Sequence, residues 1–334
     1  MKGWWLSVLA AMLLRVSDDS GWAGVNWYLR FPDLAEVRAR LDAGADPAGG
    51  EGWWEPPLHA AAARGGVDVV AELAGRIDDV DALMRGRSAL WTAVAAGRFD
   101  AARALVEAGA DPWLDMMSGW SPARLSLSTS EPELFGGGRS LAPEEAAMVA
   151  EARRLGDLFG PIHLDGFSTA CVAGIDVAEA VRRLDARVLT DDPEQLMASA
   201  GEDPEDADAQ QTMWATEVPG GVVLTQPWLY GAQMPGVIKA LSAGTTCYAL
   251  YANPKSGNQG SLARDGELLG WDLHPGGGPD EDEDDERDVF LNYLYDGQAV
   301  PYCYAVTGLK PQDKRSFDGP PDAWIRIATR DWWK

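Results

Sequence analysis

The residues that could do chemistry are few, and their spacing scatters them. The three histidines, His59, His163 and His274, form neither a His-Glu-x-x-His motif nor a Cys/His cluster, so no metal is expected. Cys171, Cys247 and Cys303 are odd in number and widely spaced, which suggests no disulfide framework and fits a reducing cytoplasm. The glycine triplets at 136–138 and 276–278 lack the Lys-Ser/Thr of a phosphate loop and the dinucleotide fingerprint, so they read as linkers and no cofactor is expected. No Gly-x-Ser-x-Gly elbow is present. Eight of the nine residues at 280–288 are acidic. A calcium loop needs alternating ligands around a glycine turn, so this uninterrupted run reads as a solvated, self-repelling loop. Among many carboxylates, Glu217 in a predicted strand and Asp272 beside Trp271 are the ones to examine for a catalytic role.

The elements that must position these residues begin with a repetition. Pro57-Leu58-His59-Ala60-Ala61-Ala62 recurs as Ala89-Leu90-Trp91-Thr92-Ala93-Val94 and, degraded, as Pro122-Ala123-Arg124-Leu125-Ser126-Leu127. Ala-Gly-Ala-Asp-Pro stands at 43–47 and again two periods later at 108–112. A period near 33 residues around Pro-Leu-His-x-Ala resembles the ankyrin repeat. The resemblance implies paired helices that bury their apolar faces only by stacking, and an extended surface suited to binding. It also implies that His59 bonds the backbone of a neighbouring loop. Trp91 and Arg124 occupy the equivalent positions in the later repeats.

Within the repeats, Asp33 is placed to cap a helix lined by Leu34, Val37 and Leu41, which Gly44 and Pro47 end. Helix pairs are expected at 58–64 with 67–74 and at 89–96 with 101–108. A fourth repeat starts at Gly119-Trp120-Ser121-Pro122 and dissolves into a Ser, Pro and Gly-rich stretch. An amphipathic helix over 4–14 is expected to cap the array, and one opened by Pro143-Glu144-Glu145 to close it. Several of the 15 tryptophans fall in the connecting loops, which in an ankyrin array form the fingers lining the concave face. Trp53, Trp54, Arg85, Arg87, Trp91, Trp113 and Trp120 are therefore the candidate partner-binding residues, since Trp and Arg dominate binding hot spots. Gap-filling in irregular repeats is the competing reading.

Beyond Pro161 the apolar period falls toward two. Met213–Val218 and Val222–Gln226 read as a hairpin across Pro219-Gly220-Gly221. Ser261–Arg264 and Glu267–Leu273 read as another across Asp265-Gly266, suited to a type I′ turn. Helices are expected at 176–184, 237–241 and 289–295, and an acidic mobile loop at 191–208. Cys171-Val172-Ala173-Gly174-Ile175-Asp176, Glu179-Ala180-Val181-Arg182-Arg183-Leu184, Leu241-Ser242-Ala243-Gly244 and Tyr251-Ala252-Asn253 resemble an uncharacterised actinobacterial domain family, over about 165–310. The resemblance brings no activity with it.

These readings combine into an α-solenoid of ankyrin-type helix pairs with terminal capping helices (1–160), followed by an acidic α+β domain with an antiparallel sheet and helices on one side (161–334). The chain carries 28 Lys and Arg against 52 Asp and Glu, a net charge of −24. Two thirds of that excess falls after residue 160. Such a field repels phosphate backbones and anionic membranes and favours a basic protein partner. The expected function is non-enzymatic protein–protein interaction, with immunity or inhibition of a basic target as a narrower form. The alternative is an enzyme with an unrecognised site in the C-terminal domain.

Overall fold

The structure is a computed structural model. It describes residues 21–22, 24–25, 27, 31–49, 55–162, 166–192, 195–198, 203, 206–253, 255–279 and 285–334. The expected helix at 4–14 and the acidic residues 280–284 lie outside the described residues. Two compact units divide the chain. One ends at Leu141 and takes in Asp280–Glu286; the other holds Ala142–Pro279 and Arg287–Lys334.

The first unit is built of helix pairs. Helix α1 (Leu34–Asp42) starts at Asp33, whose carboxylate accepts from the Glu36 N–H at 2.8 Å. Gly44 follows at φ 96°, and Gly109 adopts φ 107° in the second copy of the same motif. A Cβ would be strained at either, which is why that motif recurs with glycine. Pairs α2 (Pro57–Arg64) with α3 (Val67–Ala74) and α4 (Ala89–Ala95) with α5 (Phe99–Glu107) follow as expected. Helix α2 packs on α4, α3 on α5, and α4 on the short α6 (Pro122–Ser126). Fully buried alanines at 60, 61, 93, 101 and 102 let the helices approach closely, while Leu58, Leu73, Leu90, Leu105 and Leu125 fill the seams. Ser88 and Ser121 cap α4 and α6 by accepting from Trp91 N (3.1 Å) and Arg124 N (3.2 Å). Helix α6 is short because Ser126, Ser128 and Thr129 turn their hydroxyls onto carbonyls three residues back, at 2.7–2.8 Å.

The second unit is an eight-stranded sheet, antiparallel at every pairing, in the order β2-β8-β3-β4-β1-β5-β6-β7. In chain order its elements are α7 (Pro143–Phe159), β1 (Phe167–Ala173), α8 (Val177–Arg183), β2 (Arg187–Leu189), α9 (Ala207–Gln211), β3 (Thr212–Val218), β4 (Gly221–Gln226) and α10 (Pro235–Leu241). Next come β5 (Thr246–Asn253), β6 (Gly257–Arg264), β7 (Glu267–Leu273), α11 (Glu286–Leu294), α12 (Ala299–Thr307), α13 (Arg315–Asp318) and β8 (Ala323–Arg326). Both predicted hairpins form. Asp265 and Gly266 sit at φ 54° and 83°, as a type I′ turn requires.

Two expectations are corrected here. Helices cover both faces of the sheet. On one face Ala180 of α8, Leu184 just after it, and Val237, Ile238 and Leu241 of α10 meet Ala170, Val172, Ala215, Leu224 and Ala249. On the other, Leu155 and Phe159 of α7, Leu291 of α11, Tyr295 just after it, and Cys303 and Tyr304 of α12 meet Cys171, Val223, Tyr248 and Leu250. Central strands with both faces buried lose the polar alternation that would mark one face as solvated. The second correction concerns α7. Its Ala152, Leu155 and Phe159 belong to the sheet core, so this helix is part of the second unit.

Candidate protein-interaction surface

The surface is built on two fingers of the first unit. In the first, Met84 and Arg87 exchange backbone hydrogen bonds, Met84 N to Arg87 O at 2.9 Å and Arg87 N to Met84 O at 3.1 Å. Arg85 (φ 51°) and Gly86 (φ 68°) turn the tip, both left-handed. Arg85 is exposed at the tip, and Leu83 beside it is 54% exposed. Left-handed backbone is unfavourable for an arginine, and Leu83 gives up burial, so the finger forgoes two small stabilising terms to present these side chains.

His59 holds this finger from the preceding repeat. Its Nε2 lies 3.0 Å from Arg87 O, so the ring is the Nε2–H tautomer and donates to that carbonyl. Its Nδ1 is buried with no partner among the described residues. Burial lowers the pKa of His59, outweighing the bond to Arg87 O, which favours protonation. The structural role expected for His59 is the one observed.

The second finger is closed by Met116 N to Trp120 O and by Gly119 N to Met116 O, each 2.8 Å. Met117, Ser118 and Gly119 are left-handed in succession, at φ 25°, 55° and 84°. Trp113 enters this finger half-buried, with the Arg139 guanidinium 4.0 Å above its ring. The two loops are tied: the Asp81 carboxylate accepts from Asp111 N at 3.0 Å, and Asp111 accepts from Trp113 N at 2.9 Å. Burial, with the nearby carboxylates of Asp111 and Asp79, raises the Asp81 pKa against the opposing bond from Asp111 N.

The proposed contact residues therefore part company. Arg85 is exposed, and Arg87 and Trp113 are half-exposed, on the fingers. Trp91 and Trp120 are each 1% exposed and belong to the core. Trp91 takes the inward position that His59 holds one repeat earlier, so it fills the seam between helices. Trp120 donates its indole N–H to Glu286 O at 2.7 Å and lies under the Arg124 guanidinium. Neither can touch a partner in the folded array. Trp53 and Trp54 lie outside the described residues. Leu83 and Arg139 were missed: a lone apolar residue in a loop was the signal for Leu83, while Arg139 stands 26 residues from Trp113 and had none.

The second unit holds a cleft of about 640 Å³ at the start of α12, lined by Gly156, Ile162, Asn258, Gln298, Val300 and Pro301 among others. Among the described residues its lining carries no titratable side chain. The most perturbed groups, Cys171, Cys247, Cys303, Tyr248 and Tyr304, are buried in the two cores, where burial pushes each pKa up and keeps the group neutral. Glu217 is exposed on β3 and accepts from Val177 N at 3.3 Å, at the first residue of α8. The side chain of Asp272 lies outside the described residues.

Compared with known families, residues 33–115 match ankyrin repeats in three copies. No curated protein matches the chain.

Proposed function

We propose, on the premise that residues 33–115 are ankyrin repeats, that the chain binds a protein partner through its fingers and catalyses nothing there. Ankyrin repeats are general protein–protein interaction modules. The observation that carries the reading is the exposed Leu83 and Arg85 on a hairpin held by His59, tied through Asp81 and Asp111 to the half-exposed Trp113. Rigidly held aromatic, aliphatic and arginine side chains at one surface are what binding hot spots are made of.

The partner we infer is basic overall, because a net charge of −24 raises the local concentration of cationic proteins and repels nucleic acid and anionic membranes. At the fingers themselves Arg85 and Arg87 require acceptors, so the partner presents carboxylates or backbone carbonyls there. An immunity or inhibitor protein that masks a basic enzyme fits this pairing of global attraction with a local anchor. No helix among the described residues is long and apolar enough to cross a membrane. The three buried free thiols are compatible with a reducing cytoplasm.

The test is a pull-down from native lysate with wild type and with Leu83→Ala/Arg85→Ala, each at low and high salt. The proposal expects a partner retained by wild type and lost by the double variant. A partner retained equally by both would place the binding surface elsewhere.

A further inference from the structure

Among the described residues three arginines stack over tryptophan rings, and they differ in what else each pair holds. Arg330 stands 3.6 Å over Trp332, whose indole N–H donates to Ala328 O at 2.9 Å. Trp332 is 3% exposed, so that stack is closed to a ligand. Arg124 stands 3.9 Å over Trp120, and this stack holds a glutamate. The Glu286 carboxylate meets the Arg124 guanidinium at 2.6 Å, and the Glu286 carbonyl accepts from the Trp120 indole N–H at 2.7 Å. Glu286 belongs to the same unit, so the array itself grips one acidic residue by side chain and backbone together.

The third stack has the same form without a carboxylate. Arg139 stands 4.0 Å over Trp113 in the second finger. Arg139 is exposed and Trp113 half-exposed; among the described residues the guanidinium meets no carboxylate and the indole N–H no acceptor. Arg85 and Arg87, on the finger tied to this one, meet no carboxylate there either. The carboxylates of Asp79, Asp81 and Asp111 are instead turned onto the backbone N–H groups of Asp81, Asp111 and Trp113, at 2.9–3.0 Å. A guanidinium stacked on an indole keeps its edge N–H groups for a planar carboxylate. The stacking also fixes that fork before a ligand arrives, which lowers the entropy lost on binding.

We propose that the Trp113–Arg139 stack binds a glutamate or aspartate of the protein partner, its carboxylate on the Arg139 guanidinium and its backbone carbonyl on the Trp113 indole N–H, as Glu286 is held by Trp120 and Arg124. This rests on the fingers being the binding surface, and it names what they read there. The chain's overall charge of −24 draws a basic protein in, and the stack sets the register by one acidic residue on that protein.

The test is peptide-observed NMR on the full-length protein at physiological ionic strength, reading the line broadening of synthetic Gly-Ser-Glu repeat peptides at millimolar concentration beside their Gly-Ser-Gln counterparts. The Glu peptide should bind at least about tenfold more tightly than the Gln peptide. Arg139→Gln should erase that preference. Trp113→Phe, which keeps a ring under the guanidinium but removes the N–H, should weaken the Glu peptide about fivefold. Arg330→Gln, in the closed stack, should change nothing. A Glu peptide that does not bind, or binds no better than the Gln peptide, overturns the proposal. So does a preference that survives Arg139→Gln or disappears with Arg330→Gln, and so does Glu-peptide binding that Trp113→Phe leaves unchanged. Failure of the finger reading shows separately, as a partner retained by Leu83→Ala/Arg85→Ala in the pull-down. A partner lost there, beside Glu and Gln peptides that bind alike, leaves the fingers as the binding surface and overturns only the acidic residue.

Discussion

Trp113 and Trp120 are seven residues apart and sit in opposite environments, one half-exposed under Arg139 and one buried in the array. The same substitution should read differently at each. Trp120→Ala leaves a cavity and should cost about 3–5 kcal/mol of folding stability. Trp113→Ala should change stability little and weaken partner binding by about 2 kcal/mol, the hot-spot threshold. Denaturant titrations beside a binding isotherm separate the two; a large midpoint drop for Trp113→Ala at unchanged slope sinks its contact role. His59 supplies a pH test. Its folded pKa lies below the ordinary 6.5, so the unfolded chain takes up the proton first. Its contribution is complete above about pH 6.5 and is lost as pH falls from there toward the folded pKa, at no more than about 1.4 kcal/mol per pH unit. Urea midpoints between pH 7.5 and 5.5 should therefore fall more steeply for wild type than for His59→Gln. Parallel curves would mean that another group titrates.

At the scale of the element, the finger 84–87 separates folding from binding. Arg85→Gly relieves left-handed strain of about 1 kcal/mol and frees the unfolded chain by a comparable amount. Stability should move by less than about 0.5 kcal/mol, while partner affinity falls because the exposed guanidinium is gone. Gly86→Val places a β-branched residue at φ 68° and should destabilise the finger by about 1–2 kcal/mol. A Gly86→Val protein as stable as wild type would show that this position does not depend on left-handed backbone. These turns were only partly legible in the sequence. Asp265-Gly266 announces itself as a hairpin, whereas Arg85-Gly86 becomes one only because His59 and the helix beyond it hold Arg87 in place.

For the whole molecule, the unequal charge of the chain predicts that association with its partner slows as salt rises, since exposed charges are screened beyond about 8 Å at physiological ionic strength. A stopped-flow rate that stays flat from low to high salt would remove charge from the mechanism. The boundary near 142 predicts that a fragment beginning at Ala142 folds better than one beginning at Pro161. The shorter fragment loses Leu155 and Phe159 from the sheet core, worth on the order of 4 kcal/mol together. Equal thermal midpoints for the two fragments would show that α7 adds nothing to the sheet core.

The sequence by itself determined the helix pairs of the array, because stacked repeats reuse one local pattern and each copy reports on the others. It also determined the two hairpins and the place of His59, whose motif position fixes its partner. Burial was what it left open. Trp91, Trp113 and Trp120 are alike as letters, and only the stacking of neighbouring helices decides which indole faces inward. Strand β1 went unread although it is central to the sheet, because Phe167–Val172 is buried on both sides and carries no alternation. Helix α12 was missed for a related reason: Pro301, Cys303, Tyr302, Tyr304 and Val306 are weak helix formers that a buried site, covered by α7 and the sheet, stabilises from outside the helix. The assignment of α7 was likewise a tertiary matter. Its amphipathic face predicts a partner, and which apolar surface meets that face depends on contacts with residues more than a hundred positions away.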